Sequence, residues 1–247
     1  MRNVEKIQAM LKSIETGDPG PVAVVNQAKY IQHNPQTHEG SEGLETLFAR
    51  LSKTDPHVNM ARGFEDGAFV FAMMEYDFSS RKIAFEVFRF EDGQAVEHWD
   101  NIQPRIEPTP SGRTMVDGPT VAVDLDKTED NRALVRSFVN DVLVNQSFAA
   151  FDAYFDDGAL IQHSPELEDG AAPFRAAFAS GVRAYHHCHR VLAEGDFALS
   201  VCEGERHGAH SAFYGLFRIA NGKITEYWET VETVPPQEAW RNDNGKF

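Results

Sequence analysis

The chain has 247 residues, 42% hydrophobic and 25% charged, an ordinary composition for a globular protein of one or two domains. Its 23 basic and 38 acidic residues leave a formal net charge of −15, and neither half is basic, which argues against a nucleic-acid partner. Two cysteines, Cys188 and Cys202, make no disulfide framework. The charged start has no signal-peptide core and no apolar run reaches transmembrane length, so the expected location is the cytoplasm, with no membrane partner.

Val4, Ile7, Leu11 and Ile14 recur at helical spacing and predict an amphipathic helix over 3–16, ended by Gly17-Asp18-Pro19-Gly20-Pro21. A short second helix follows at 21–28, then a strand from Tyr30 to His33 entering a proline turn. Leu44, Leu47, Phe48 and Leu51 predict a third helix over 41–53. Beyond it, stretches rich in Phe, Val and Ile are punctuated by Glu65-Asp66-Gly67 and Glu91-Asp92-Gly93. They predict antiparallel strands at 57–64, 69–78, 82–90 and 95–102. Residues 104–129 hold four prolines and two glycines, fit no periodic template and predict a linker that crosses a surface or covers something. The order then repeats. A helix carries Leu134 to Val142, Ser147 is the expected N-cap of a second helix, Leu160–His163 is a strand, and Pro173 opens a third helix. Strands follow at 184–193, 197–205, 210–219 and 223–233.

The repetition is also literal. Ile31-Gln32-His33-Asn34-Pro35 returns as Ile161-Gln162-His163-Ser164-Pro165, an offset of 130, and each leads to a glycine, Gly40 and Gly170. Phe88-Arg89-Phe90 returns as Phe217-Arg218-Ile219, and Glu97-His98-Trp99-Asp100 as Glu226-Tyr227-Trp228-Glu229, both offset by 129. A period near 130 means two whole domains, read here as 1–110 and 126–247, the latter with the C-terminal tail, joined by a linker over 111–125. Helices followed by a meander of long strands indicate α+β.

These three ordered motifs resemble the polyketide-cyclase-like (SnoaL-like) branch of the nuclear transport factor 2-like superfamily, over both halves almost end to end. The resemblance implies two tandem cones, each three helices against a strongly curved antiparallel sheet, with a pocket inside and the two sheets paired as an intrachain pseudo-dimer. It implies no cofactor. It does not fix an activity, because one fold hosts cyclases, dehydratases, isomerases, epoxide hydrolases and binding proteins.

Strand alternation puts Ile31 and His33 on one face, Val96, His98 and Asp100 on one face, and Glu97, Trp99 and Asn101 on the other. In the second half, Ile161 pairs with His163, and Thr225, Tyr227 and Glu229 share a face. A histidine and a carboxylate converging in an apolar cone can transfer a proton. The candidate catalytic residues are therefore His33, Asp100, His163 and Glu229, each of which also has a purely structural reading as a self-satisfied buried pair. Candidate ligand contacts are Gln32, His98, Trp99, Gln162, Tyr227 and Trp228, the two tryptophans serving either packing or stacking. The first half keeps His33, Asn34, His98 and Asp100; the second has Ser164, Tyr227 and Glu229 at three of those positions. His186-His187-Cys188-His189 offers two ligands per strand face, which does not complete a metal site, so no metal is expected. Two functions remain open: a cofactor-independent lyase, isomerase or cyclase acting on a small, mostly apolar carbonyl compound, or a non-catalytic ligand-binding or assembly domain. The expected partner in either case is a small apolar ligand, and a homodimer is the alternative assembly to the intrachain pseudo-dimer. A void shared by histidine and carboxylate would favour the first reading, and a solid cone the second.

Overall fold

The computed structural model describes residues 1–38 and 40–247. The chain forms two compact units, Met1–Pro104 with Val234–Phe247, and Arg105–Thr233. In the first unit, helix α1 (Asn3–Lys12) runs into a 3₁₀ turn at Ser13–Glu15. A second 3₁₀ turn covers Gly20–Val24, where the sequence predicted a longer helix. Strand β1 (Ile31–Gln32) and helix α2 (Gly40–Leu51) follow, then β2 (His57–Asp66), β3 (Phe69–Asp77), β4 (Arg81–Glu91) and β5 (Gln94–Pro104). The sheet order is β1-β5-β4-β3-β2, antiparallel except for β1, which lies parallel to β5.

The second unit repeats this plan. Helix α3 (Thr128–Ser137) widens into a π-helical stretch over Phe138–Val144, and a 3₁₀ stretch spans Phe148–Tyr154. Ser147 makes no side-chain cap; its backbone N–H goes to the Asp141 carbonyl instead. After β6 (Ile161–Gln162) and α4 (Ala171–Ala179) come β7 (Arg183–Glu194), β8 (Phe197–Arg206), β9 (Ala209–Ala220) and β10 (Lys223–Thr233), in the order β6-β10-β9-β8-β7. Bulges interrupt β2, β7 and β10 and the β4–β5 ladder. Each bulge adds bend and local twist, which curls the sheet around its helices.

Each core lies between helices and the concave face of the sheet. In the first unit Ile7, Met10, Leu11 and Ile14 of α1 and its following turn meet Leu44 and Phe48 of α2 and Phe88 of β4. Burying such a side chain contributes about 1.5–3 kcal/mol. Among the described residues no helix is long and apolar enough to cross a membrane.

The units differ from the sequence reading in how the chain is shared out. The sequence places Val234–Phe247 with the second domain, but this segment belongs to the first unit, while residues 105–123 belong to the second. Backbone hydrogen-bond partners explain the assignment. Arg241 N–H donates to the Pro35 carbonyl at 2.7 Å, and the Asn242 amide donates to the carbonyls of Asn34 and Thr37. In the second unit Ser111 Oγ donates to the Gln162 carbonyl at 2.7 Å, and Trp228 Nε1 to the Asp117 carbonyl at 2.9 Å. Gly118 has φ +98°, and a Cβ there would meet Glu226 Oε1 at 2.5 Å, so this close crossing requires glycine. The predicted linker is thus a cover over the β6 edge of the second sheet.

Candidate active site

The register of β1 on β5 sorts the candidates. Ile31 stands opposite Glu97 and Gln32 opposite His98, and the His33 N–H donates to the His98 carbonyl at 2.9 Å. Gln32 therefore shares the concave side with His98 and Asp100. His33 falls with Glu97 and Trp99 on the other side. The structure does not bring His33 to Asp100: its ring stacks on Trp99 with centroids 4.7 Å apart, Nε2 meets Glu97 at 3.0 Å and Nδ1 donates to the Gly245 carbonyl. Arg89 holds the second oxygen of Glu97 at 2.6 Å. The second unit repeats this cluster. His163 stacks on Trp228 at 4.7 Å, meets Glu226 at 2.8 Å, donates to the Thr114 carbonyl, and Arg218 closes the set. Burial pushes the Glu226 carboxyl up, but His163 and Arg218 outweigh it and hold it below its ordinary value. Trp99 and Trp228 pack against these histidines, so the sequence motif Ile-Gln-His marks a buried clasp for a covering segment.

The concave side of the first unit holds a cavity of about 240 Å³. Met10, Leu11, Leu44, Phe48 and Ile102 line one part; Tyr30, Gln32, Asn34, Tyr76, Glu86, His98 and Asp100 line the other. Glu86, His98 and Asp100 are buried, at 3%, 6% and 3% exposure. They meet because β4 pairs with β5, which sets Glu86 opposite Asp100 and Phe88 opposite His98. The His98 ring stacks on Phe88 with centroids 4.3 Å apart. Its nitrogens face Gln32 Oε1 at 2.9 Å and Glu86 Oε2 at 2.6 Å. Gln32 Oε1 also accepts the backbone N–H of Asn34, so it is the amide oxygen and His98 Nδ1 is the donor. Tyr76 donates its hydroxyl to Glu86 Oε1 at 2.8 Å.

Asp100 accepts from Asn34 Nδ2 at 2.6 Å and pairs with Lys246 Nζ at 3.3 Å. Burial pushes its carboxyl up, but the Lys246 ammonium, His98 and the Asn34 amide outweigh burial and hold it below the usual carboxylate value. Tyr30 is buried with a hydroxyl that has no hydrogen-bond partner, and burial raises it well above a phenol's ordinary value, reinforced by Glu86 and Asp100. A buried unpaired hydroxyl is costly unless something in the cavity pairs with it.

Glu86, His98 and Asp100 bring one possible ligand atom each within 4.8 Å of one another. Each is already engaged, however, and the Lys246 ammonium stands beside Asp100 where a cation would bind. At the other histidine cluster, His189 and His210 both take Glu203, at 3.1 and 2.8 Å, while Cys188 and Cys202 face each other across β7 and β8 as free thiols.

The second cone has the same register and different residues. Glu229 pairs with Gly215 and Tyr227 with Phe217. Gly215 thus stands where Glu86 stands in the first unit, and Tyr227 where His98 does. A Cβ on Gly215 would meet the Tyr227 ring at 3.0 Å, so the lost carboxylate makes room for the larger ring. Glu229 is closed off by Arg183 at 2.6 and 2.9 Å, Ser164 at 2.5 Å and Tyr227 at 3.1 Å. Burial raises its carboxyl and Arg183 more than cancels this, leaving it below its ordinary value. Phe138, Phe151, Phe155, Phe174 and Phe178 fill the space between α3, α4 and the sheet. Gln162 is wholly buried with neither amide atom partnered, and it stands opposite Tyr227 where Gln32 of the first unit stands opposite His98.

Of the sequence candidates, Gln32, His98 and Asp100 line a cavity, Tyr227 and Glu229 meet beside the packed aromatic rings of the second unit, and His33 and His163 stand elsewhere. Sequence reasoning missed Glu86, Tyr30, Tyr76 and Lys246. Glu86 had a signal: it is the single charge in the run Ile83–Phe88, in phase with Ala84 and Phe88.

A family model for the SnoaL-like domain matches residues 135–227. No curated protein matches the chain. Similar solved structures include TsrD from Streptomyces laurentii, at 22% identity over 40% of this chain and 89% of that one, with a TM-score of 0.35. A cystatin-fold protein from Novosphingobium aromaticivorans aligns at 16% identity over 40% and 97%, TM-score 0.37. An LEH-like epoxide hydrolase from M. tuberculosis aligns at 21% over 43% and 85%, TM-score 0.35. Residues 135–227 are thus a SnoaL-like domain, and the chain as a whole consists of two α+β units that repeat one topology.

Proposed function

We propose that the first unit is a cofactor-independent acid–base catalyst of the isomerase or cyclase type, acting on a small carbonyl compound held in its cavity. The observation that carries this is the placement of Asp100, held as a carboxylate by Lys246 and Asn34, and of Tyr30, whose hydroxyl has no partner, in the wall of one cavity. Asp100 would take a proton from the carbon beside the carbonyl, using a lone pair left free by Asn34 and Lys246. The C–H electron pair moves onto the carbonyl oxygen, and Tyr30, which keeps its proton, donates a hydrogen bond to the developing enolate. With a β,γ-unsaturated carbonyl, return of the proton from Asp100 to the γ-carbon of the dienolate completes an isomerisation; attack of the enolate carbon on a second carbonyl of the same molecule, with Asp100 returning its proton to the alkoxide formed, completes a cyclisation. The His98–Glu86 pair, oriented by Gln32 and Tyr76, lines the wall beside them. A volume near 240 Å³ lies below the range of about 300–1,000 Å³ typical of drug-sized ligands, so the compound is small.

The test is exchange of α-protons of small ketones, lactones and enones in D₂O, followed by NMR. Tyr30→Phe removes one donor and should slow exchange by about 10²–10³. An unchanged rate in this variant would remove the enolate-stabilising role.

The non-catalytic reading fits the second unit. Its carboxylate is saturated by Arg183 and its interior is packed with aromatic rings, so we assign it a scaffold role.

A further inference from the structure

Lys246 lies 146 positions beyond Asp100 in sequence, yet it is buried at 3% exposure with its ammonium 3.3 Å from that carboxylate. A buried lysine is rare unless paired. The segment delivering it is fastened at several points. Besides the contacts of Arg241 and Asn242, Asn244 Nδ2 donates to the Gln32 carbonyl at 3.1 Å, and the Gly245 carbonyl accepts from His33 Nδ1 at 3.0 Å. All these contacts fall on residues 32–37, the turn that presents Gln32 and Asn34 to the cavity. The second cone meets the same need differently: its carboxylate takes Arg183 from its own sheet.

We propose that Lys246 is a positioning residue of the first cone, an ammonium brought in by the Val234–Phe247 segment to hold Asp100 as an aimed carboxylate. This rests on the assignment of Asp100 as the base. Several groups face Asp100. Glu86 stands opposite on β4 and His98 lies on its own strand; Tyr30 lies before β1, Tyr76 on β3, and Asn34 in the turn. Glu86 is a second carboxylate buried in the same cavity wall, and two carboxylates sharing a site resist being ionised together. His98 Nε2 is directed at Glu86, which leaves Lys246 as the cation whose partner is Asp100. Without it, Asp100 retains its proton to higher pH, and the acid limb of its action as a base moves up with it.

The experiment replaces Lys246 in the full chain with Met and, separately, with Gln, and titrates the Asp100 carboxyl by carbon-13 NMR. The resonance is assigned by its loss in Asp100→Asn. An opposite charge at this range depresses a carboxyl by about 1–3 pH units, so the titration should move up by that amount in both variants. The acid limb of α-proton exchange should move with it, and activity should return as pH rises. A folded variant whose Asp100 titrates as in the wild type overturns the proposal, as does an activity loss equal at every pH. Failure of both variants to fold also counts against it, since the lysine would then serve the fold. The NMR titration needs no turnover, so it stands apart from the proposed function, which fails instead if Asp100→Asn keeps its exchange rate.

Discussion

The two cones share a topology, a register and a stacked His–Trp clasp, and differ at their centres. Where the first sheet sets Glu86 beside His98 and Asp100, the second sets Gly215 beside Tyr227 and Glu229. The first leaves about 240 Å³ between these groups and its helices. The second closes that space with five phenylalanines and an Arg183–Glu229 pair. The lesson is that one strand order and register can carry two different buried centres. Replacing Glu86 by glycine removes one carboxylate, the vacated volume admits a tyrosine ring, and the remaining carboxylate is neutralised from within the sheet. Burial energy then replaces binding capacity, because polar walls stay costly unless a ligand or partner satisfies them.

The largest expected effect separates the cones by stability. Arg183→Met strands Glu229 in the second core and should cost about 3–5 kcal/mol in chemical denaturation, whereas changing Arg183 and Glu229 together to apolar residues should recover much of that loss. A loss under about 1 kcal/mol for the single variant would mean that the pair does not hold the second core together.

Acid should act on both centres with the same sign. Asp100 and Glu229 are both held below their ordinary values. Each therefore contributes stability that is complete above the unfolded carboxylate value, about 4, and is lost as pH falls through the lowered folded value. Urea midpoints should be flat above about pH 5 and fall below about pH 4, with a shallower fall in Asp100→Asn. A wild-type midpoint that rises on acidification would contradict the charge assignments.

The smallest effect concerns the open side of the first cavity, where Arg50 and Lys82 border the apolar wall. Lys82 is half-buried at the cavity rim, and a rim charge still in contact with solvent contributes about 0.2–1 kcal/mol, so Lys82→Met should weaken an acidic ligand by no more than about fivefold and leave its methyl ester unaffected. Equal weakening of acid and ester, read by thermal shift, would assign Lys82 a packing role through its stem.

Much of this architecture was legible in the sequence because it is written in local periodicity. The offset of 129–130 fixed the duplication, and most strands fall within two residues of their predicted limits. What failed was long-range. Alternation correctly grouped His98 with Asp100, but only the register of a two-residue strand could say that Gln32, not His33, joins them. Lys246 and the Gly245 carbonyl carry no local signal at all, since their partners lie more than 140 residues away. Tyr30 and Tyr76 looked like ordinary strand aromatics. Glu86 could have been found, as a lone carboxylate in phase with an inward-facing apolar row.

The measurement closest to the central claim compares two nearly isosteric changes at equivalent positions, Asp100→Asn and Glu229→Gln, by α-proton exchange of a turned-over ketone in D₂O. A general acid–base group contributes typically about 10² to 10⁴ in rate, so Asp100→Asn should lose that much while Glu229→Gln stays within about threefold of the wild type. The opposite order would put the chemistry in the second cone, and two variants that both keep their rate would make the buried carboxylates structural in both.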